Sequence, residues 1–144
     1  MATVADIIAL KGTTTHCVGP HDTVYAAIEK MVRNNIGALV VLENEVLVGV
    51  ITERDYLRRI AVEGRTSRGT PVAAIMSTRP PTVTPGMSVQ QCMQTMTERR
   101  IRHLPVLANG RLGGIVSIGD IVKSLITEQA SHIENLTHYI QGRA

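Results

Sequence analysis

The sequence predicts an α/β (α+β) chain of two β-α-β-β-α units related by a pseudo-twofold axis, and three observations predict it. First, the chain repeats itself without a gap, 65 positions apart, from Val18/Val83 to Ile60/Leu125. Pro20/Pro85, Met31/Met96, Asn44/Asn109, Gly49/Gly114 and Asp55/Asp120 are identical between the copies. Second, short aliphatic runs bounded by turn residues alternate in each copy with stretches whose apolar residues recur every three or four positions, the pattern of strands interleaved with amphipathic helices. Third, the composition is 44% hydrophobic with no Trp, no Phe and three Tyr, which demands a core of aliphatic side chains. A chain of 144 residues suffices for one domain. Each copy alone would bury too little surface to be robust, so the two are expected to share a core.

Taken in order, Val4, Ile7, Ile8 and Leu10 form an apolar stripe for an N-terminal helix that Gly12 ends. A short strand is expected from Thr14 to Val18, closed by Gly19-Pro20. Asp22 or Thr23 can cap a helix whose buried face is Val24, Ile28, Met31 and Val32, and Asn34, Asn35 and Gly37 stop it. Leu39 to Leu42 reads as a buried strand, which Glu43-Asn44-Glu45 turns into a second from Val46 to Ile51. A helix is expected from Glu53 to about Val62, ending at Gly64. The polar run from Gly64 to Pro71 reads as a linker, giving segments 1–63, 64–71 and 72–144. Val72 to Met76 restarts the pattern and Pro80-Pro81 breaks it. The second copy follows: strand Thr82–Thr84, helix Ser88–Arg100, strand His103–Leu107, a tight Asn109-Gly110 turn, strand Arg111–Ser117 and a final helix.

That last helix outruns its counterpart. Val122, Ile126, Ile133, Leu136 and Ile140 recur at alternating four- and three-residue spacing, interrupted by polar Gln129, a seam that wants a partner. The chain's own N-terminal helix and a second subunit are the two candidates.

Bulk properties narrow the function. The net charge is +3 and the pI about 9.2, but the basic residues are scattered and no aromatics are interleaved to stack bases, which argues against nucleic acid. Cys17 and Cys92 sit among apolar neighbours and read as buried free thiols in a reducing compartment; the five His are dispersed, with no metal-ligand spacing. The N-terminus lacks a leader pattern and no run approaches the ~20 apolar residues of a membrane span, so the cytoplasm is the expected compartment and no membrane partner is expected. The sequence offers no nucleophile paired with a base, no clustered carboxylates and no metal set, so a non-enzymatic protein is expected.

The chemistry gathers at two strand-to-helix junctions, Thr52-Glu53-Arg54-Asp55 and Ser117-Ile118-Gly119-Asp120. Each places a hydroxyl at the end of an apolar strand and an Asp in the first helical turn. That pattern is close to a capping box and stabilises a helix start by itself. Three features add a ligand reading. Small residues precede both corners, Val48-Gly49 and Gly113-Gly114, and permit close approach. A helix N-terminus offers free N–H groups and the positive dipole end to a phosphate, with Thr52 or Ser117 adding a hydroxyl. A carboxylate beside it can accept both hydrogen bonds of a ribose diol.

The chain resembles a pair of CBS domains, named after cystathionine β-synthase, over nearly its whole length. The resemblance rests on Gly-x-x-x-[Ser/Thr]-x-x-Asp, met as Gly49-Val-Ile-Thr52-Glu-Arg-Asp55 and in varied form as Gly114-Ile-Val-Ser117-Ile-Gly-Asp120, and on Leu104-Pro105-Val106. The length and the ending His138-Tyr139-Ile140 are similar to small stand-alone bacterial members. It implies a regulatory module that binds adenosine-containing ligands at the cleft between its motifs: AMP, ADP or ATP, with NAD(H) next and S-adenosylmethionine behind. Asp55 and Asp120 would hold ribose, Thr52 and Ser117 phosphate. Cys17, Val18, Thr82 and Val83 would present backbone groups to adenine, with Ile36 and Ile101 walling the ring. Ala38, His103, Pro105, Ile118 and Gly119 complete the two sites, Arg54 and Arg102 assist at the phosphate, and Met76, beside the linker, is a further contact. Val40 and Ala38 stand where the second copy has Pro105 and His103, and Gly119 stands where the first has Arg54, so the sites are expected to differ. The resemblance further implies a homodimer forming a four-motif disc and a separate protein target. A ligand-free scaffold or a nucleotide-processing enzyme are the alternatives.

Overall fold

The computed structural model describes residues 1–12 and 15–140, and the side chains of those up to residue 137. Two compact units emerge. One holds the chain from β1 to Pro81 with Gly110–Leu112; the other holds α1 (Val4–Lys11), Thr82–Asn109 and the chain from Gly113 onward.

In the first unit the elements run β1 (Cys17–Val18), α2 (Val24–Asn34), β2 (Ala38–Glu43), β3 (Val46–Thr52), α3 (Glu53–Tyr56), a π-helical turn at Leu57–Ala61, a 3₁₀ turn at Val72–Ala74 and β4 (Ser77–Thr78). The sheet has the order β1-β2-β3-β4, parallel between β1 and β2 and antiparallel elsewhere. Local chemistry explains the boundaries. The Thr23 hydroxyl accepts from Ala26 N at 3.1 Å and starts α2, and Asn35 ends it in the left-handed conformation at φ 52°, ψ 47°. Asn44 and Glu45 both take positive φ, 52° and 66°, the two-residue turn whose twist suits a hairpin.

Val24, Ala27 and Met31 carry the buried face of α2, packed on Leu39, Val41, Ile51, Ile60, Val72 and Ile75. Val32, expected on that face, is 75% exposed: it lies one position past Met31, beyond the stripe. The single helix expected from Glu53 to Val62 is instead four residues of α-helix followed by the π turn, a change of pitch that no residue in the run announces. The 64–71 segment is bound rather than loose. Thr70 O and Ser67 O accept from Val24 N and Tyr25 N at 2.9 and 3.0 Å, satisfying first-turn donors of α2, and the Arg68 guanidinium lies 3.9 Å over the Tyr25 ring.

The second unit contains α4 (Val89–Arg99), β5 (His103–Ala108), β6 (Arg111–Ser117) from Gly113 onward, paired with β5, and α5 (Ile118–Ile140). The internal repeat is legible bond by bond. Ser88 caps α4 as Thr23 caps α2, and Arg100 ends it left-handed at φ 53°, ψ 44°, as Asn35 does. Ile101 N donates to Met96 O at 3.0 Å, as Ile36 N does to Met31 O at 3.0 Å. Ile118 N donates to Arg102 O at 2.9 Å, as Glu53 N does to Gly37 O at 3.1 Å. The strand expected at Thr82–Thr84 shrinks to one parallel bridge, Val83 with Val106.

The N-terminal segment serves the second copy as Thr70–Ile75 serves the first. Ala2 O accepts from Val89 N at 3.1 Å, Val4 N donates to Met87 O at 2.9 Å and Ala5 N to Pro85 O at 2.9 Å. In the first unit Thr70 O accepts from Val24 N, Val72 N donates to Asp22 O and Ala73 N to Pro20 O. Val4-Ala5-Asp6-Ile7 therefore answers Val72-Ala73-Ala74-Ile75, and Val4 and Val72 are both fully buried. Val4, Ile7, Val89, Cys92, Met96, Leu104, Val116 and Ile121 share one core, with Leu125 packed against it.

Beyond Leu125 every residue of α5 from Ile126 to Thr137 is exposed, with one flank lining a groove beside α1. The seam is not covered by α1, since Val122, Ile126, Ile133 and Leu136 are 48%, 61%, 59% and 47% exposed. The side chains of His138, Tyr139 and Ile140 lie outside the described residues. Among the described residues no helix is long and apolar enough to cross a membrane.

Candidate functional site

Both hydroxyl–acid corners form as capping boxes with the same geometry. Asp55 Oδ2 accepts from Thr52 N at 2.9 Å and from the Thr52 hydroxyl at 3.0 Å, while Asp55 N donates to Thr52 Oγ1 at 3.2 Å. Asp120 Oδ2 accepts from Ser117 N at 2.9 Å, and Asp120 N donates to Ser117 Oγ at 3.2 Å. In each, Oδ2 serves the main chain. Among the described residues Oδ1 of either Asp accepts no hydrogen bond.

The corners then diverge. Lys11, on α1, reaches Asp120 Oδ2 at 2.7 Å and Ile115 O at 2.8 Å; no described cation pairs with Asp55. Burial pushes the Asp120 carboxyl up, but the hydrogen bonds from Lys11 and Ser117 outweigh it and leave the group below its ordinary value. His103, at the start of β5, is held below its ordinary value by burial first and then by the Lys11 charge, with Asp120 acting against both. Lys11 was not singled out in the sequence. The signal that finds it is the second repeat, Val4-Ala5 against Val72-Ala73, which assigns α1 to the second copy and so puts the end of that helix by Asp120.

The remaining expected residues distribute as follows. In the first unit, Ala38 stands opposite Thr52 in the β2–β3 register, Ile36 is half-buried against the core, and Arg54 lies in the first turn of α3. In the second, Ile118 and Gly119 lie within the Ser117–Asp120 corner, Arg102 O is bonded to Ile118 N, His103 opens β5, and Ile101 and Ile118 pack against the core. Several backbone groups meant for adenine already have partners. Cys17 O accepts from Lys30 Nζ at 2.6 Å, Val83 N donates to Pro105 O at 3.0 Å, and Val83 O accepts from Leu107 N at 2.9 Å. Val18 lies in the β1–β2 ladder; Thr82 stays outside the strands.

Gly49 answers to packing. A Cβ there would stand 2.8 Å from both Met76 Sδ and Ser77 O, so β4 requires the glycine, and Met76 is set against the core. Cys17 is half-buried, against the expectation that both thiols are buried; Cys92 is buried, which pushes its thiol up. Neither Cys forms a disulfide, and among the described residues no group of three or more His, Cys, Asp or Glu could hold a metal ion. A cavity of about 630 Å³ lies along α1 and α5, lined by Ile7, Leu10, Lys11, Asp120, Thr127 and Ser131 among others.

Comparison with known proteins settles the family. A model of the CBS domain matches residues 4–62 and 72–127. The chain belongs to the CBS domain family. It is 43% identical to the CBS domain-containing protein CBSX3, mitochondrial, of Arabidopsis thaliana, over 97% of this chain and 72% of that one. It is 36% identical to the CBS domain-containing protein YhcV of Bacillus subtilis, over 96% and 97% of the two chains. A solved structure of a protein with CBS domains from Burkholderia ambifaria MC40-6 superposes with a TM-score of 0.86 at 44% identity, covering 89% of this chain and 96% of that one. The CBS domain pair of protein MJ0100, solved with 5-methylthioadenosine and S-adenosyl-L-methionine, superposes with a TM-score of 0.78 at 22% identity, covering 89% and 98%. That last likeness is one of fold.

Proposed function

We propose that this CBS pair is a non-enzymatic regulatory module that binds adenosine-containing compounds at its two hydroxyl–acid corners and signals adenylate level to a separate protein. AMP, ADP or ATP are the first candidates, NAD(H) the next, and S-adenosylmethionine the least favoured. The observation that carries the reading is the duplicated corner: two Asp, 65 positions apart, each with Oδ2 on its own main chain and Oδ1 free among the described residues. A helix start needs only the first oxygen; a ribose diol would take the second. Thr52 and Ser117 would meet phosphate, assisted by Arg54, Arg102 and His103, and Ile36 and Ile101 would wall the base. Thr82 is the adenine-facing backbone position that the strands leave outside their ladders. The adenosine ligands of the MJ0100 pair support the ligand class.

The corners are proposed to be unequal, because Lys11 adds a cation to the second. That one would favour a phosphorylated compound, and the first would tolerate a neutral nucleoside. Chains are proposed to act as homodimers in the cytoplasm. A thermal-shift screen across AMP, ADP, ATP, NAD, NADH and S-adenosylmethionine tests the reading: saturable stabilisation by at least one is expected. A flat response to all six, or turnover of any of them, contradicts it.

A further inference from the structure

Among the described residues nothing covers the exposed seam on α5. Val122, Ile126, Gln129, Ile133 and Leu136 follow a heptad rhythm, with Ile126 and Ile133 at a and Val122, Gln129 and Leu136 at d. None of them lines the groove between α1 and α5, so the stripe faces away from α1. The exposed segment Ile126–Thr137 is about 18 Å long at 1.5 Å per residue, and a helix of that length is marginal in water by itself. An exposed helix whose apolar residues lie along a coiled-coil seam is stabilised by a second helix on that seam.

We infer that α5 pairs with α5 of a second copy as a parallel two-stranded coiled coil along this seam. The residue choice selects the occupant. β-branched Ile at a with Leu at d favours two parallel strands, a pattern that Ile126, Ile133 and Leu136 meet and that Val122 and polar Gln129, at the other two d positions, do not. The flanking e and g positions are Lys123, Leu125, Ala130, His132 and Thr137; in register each g meets the partner's following e, Leu125 with Ala130 and His132 with Thr137, so no like charges come together. A strongly acidic or basic partner would find almost no complementary charge there. Glu128, Glu134 and Asn135 lie away from the seam at the b and c positions, where solvent remains. The inference rests on the homodimer part of the proposed function and is independent of the ligand.

Sedimentation of the full chain between about 1 and 100 μM separates the outcomes. A dimer is expected for the natural chain. Ile133→Asp places a charge on the seam once per copy and should weaken the dimer about 100-fold or more; Glu134→Lys, one position away, should leave it intact. Ile133 is outside both cores, so core methyl signals of Leu104 and Val4 should not move. Gln129→Leu should tighten the dimer. Leu136→Cys, with Cys17→Ser removing the half-exposed native thiol, should oxidise to a covalent dimer, because matching d positions meet only in the parallel arrangement. A monomeric natural chain would overturn both the pairing and the homodimer. A dimer untouched by Ile133→Asp would overturn the pairing alone, and a dimer in which Leu136→Cys fails to cross-link would overturn the parallel arrangement.

Discussion

Replacing Val4 by Ala tests whether the N-terminal segment belongs to the second copy's core. Val4 is fully buried, its N–H is bonded to Met87 O at 2.9 Å, and it opens the helix that carries Lys11 to Asp120. The substitution removes two methyl-sized groups, worth about 1.6 kcal/mol at ~0.8 kcal/mol each. It also leaves a void of about 50 Å³, worth about 1.2 kcal/mol at ~24 cal/mol per Å³. The expected loss is therefore about 2–3 kcal/mol. Urea unfolding followed by circular dichroism should show the midpoint falling by about 1–2 M at unchanged slope. Val72→Ala, its structural counterpart and equally buried, should cost the same, whereas Leu10→Ala, 88% exposed, should stay within about 0.5 kcal/mol. A Val4→Ala loss below about 0.5 kcal/mol, with Val72→Ala at full cost, would refute the equivalence.

Four further outcomes are expected. Asp120→Ala and Asp55→Ala should each remove charge-assisted hydrogen bonds worth about 1.5–3 kcal/mol, weakening AMP binding at that corner about 10- to 150-fold by calorimetry; each should also lower stability by about 0.5–2 kcal/mol through loss of the box. Thr52→Val should act mainly on phosphorylated compounds and leave adenosine affinity almost unchanged. Lys11→Met should raise the pKa of Asp120, by removing its cation, and of His103, by removing a repulsion; NMR titration reads both. The signs set the pH profile: Asp120, depressed below 3.8, stabilises the fold above that value and loses the contribution as pH falls through its folded pKa, while His103, depressed below 6.5, makes the fold less stable as pH falls below 6.5. Gly49→Ala should cost about 1–3 kcal/mol in thermal unfolding, because Met76 Sδ can yield but the Ser77 carbonyl cannot.

The repeat carried most of what could be read in advance. Residues 65 apart share caps, helix ends and burial: Thr23 with Ser88, Asn35 with Arg100, Leu39 with Leu104. What escaped reading depended on partners distant in sequence. Val32 looks apolar enough for a core, yet Ala27 takes the buried place because the stripe runs at three and four, and size does not move it. β4 was missed because Ser77-Thr78 has no apolar signal and pairs only through Gly49 and Val50. The strand at Thr82–Thr84 was over-read, since one bridge to Val106 is all that forms. At the corners, the hydroxyl and acid were legible from their spacing, but Lys11 was not. It arrives from more than a hundred residues away, through a helix whose kinship with Val72–Ala74 rests on a match of only Val-Ala-x-Ile, too short to stand out until the hydrogen bonds repeat it.

A crystal structure of the chain grown with saturating AMP puts the duplicated corners to the most direct test. The ribose hydroxyls are expected on the free oxygen of Asp55 or Asp120, with phosphate by Thr52 or Ser117. Corners that hold only water, with both carboxylates confined to the N–H groups of Thr52 and Ser117, would show that these residues start helices and bind nothing.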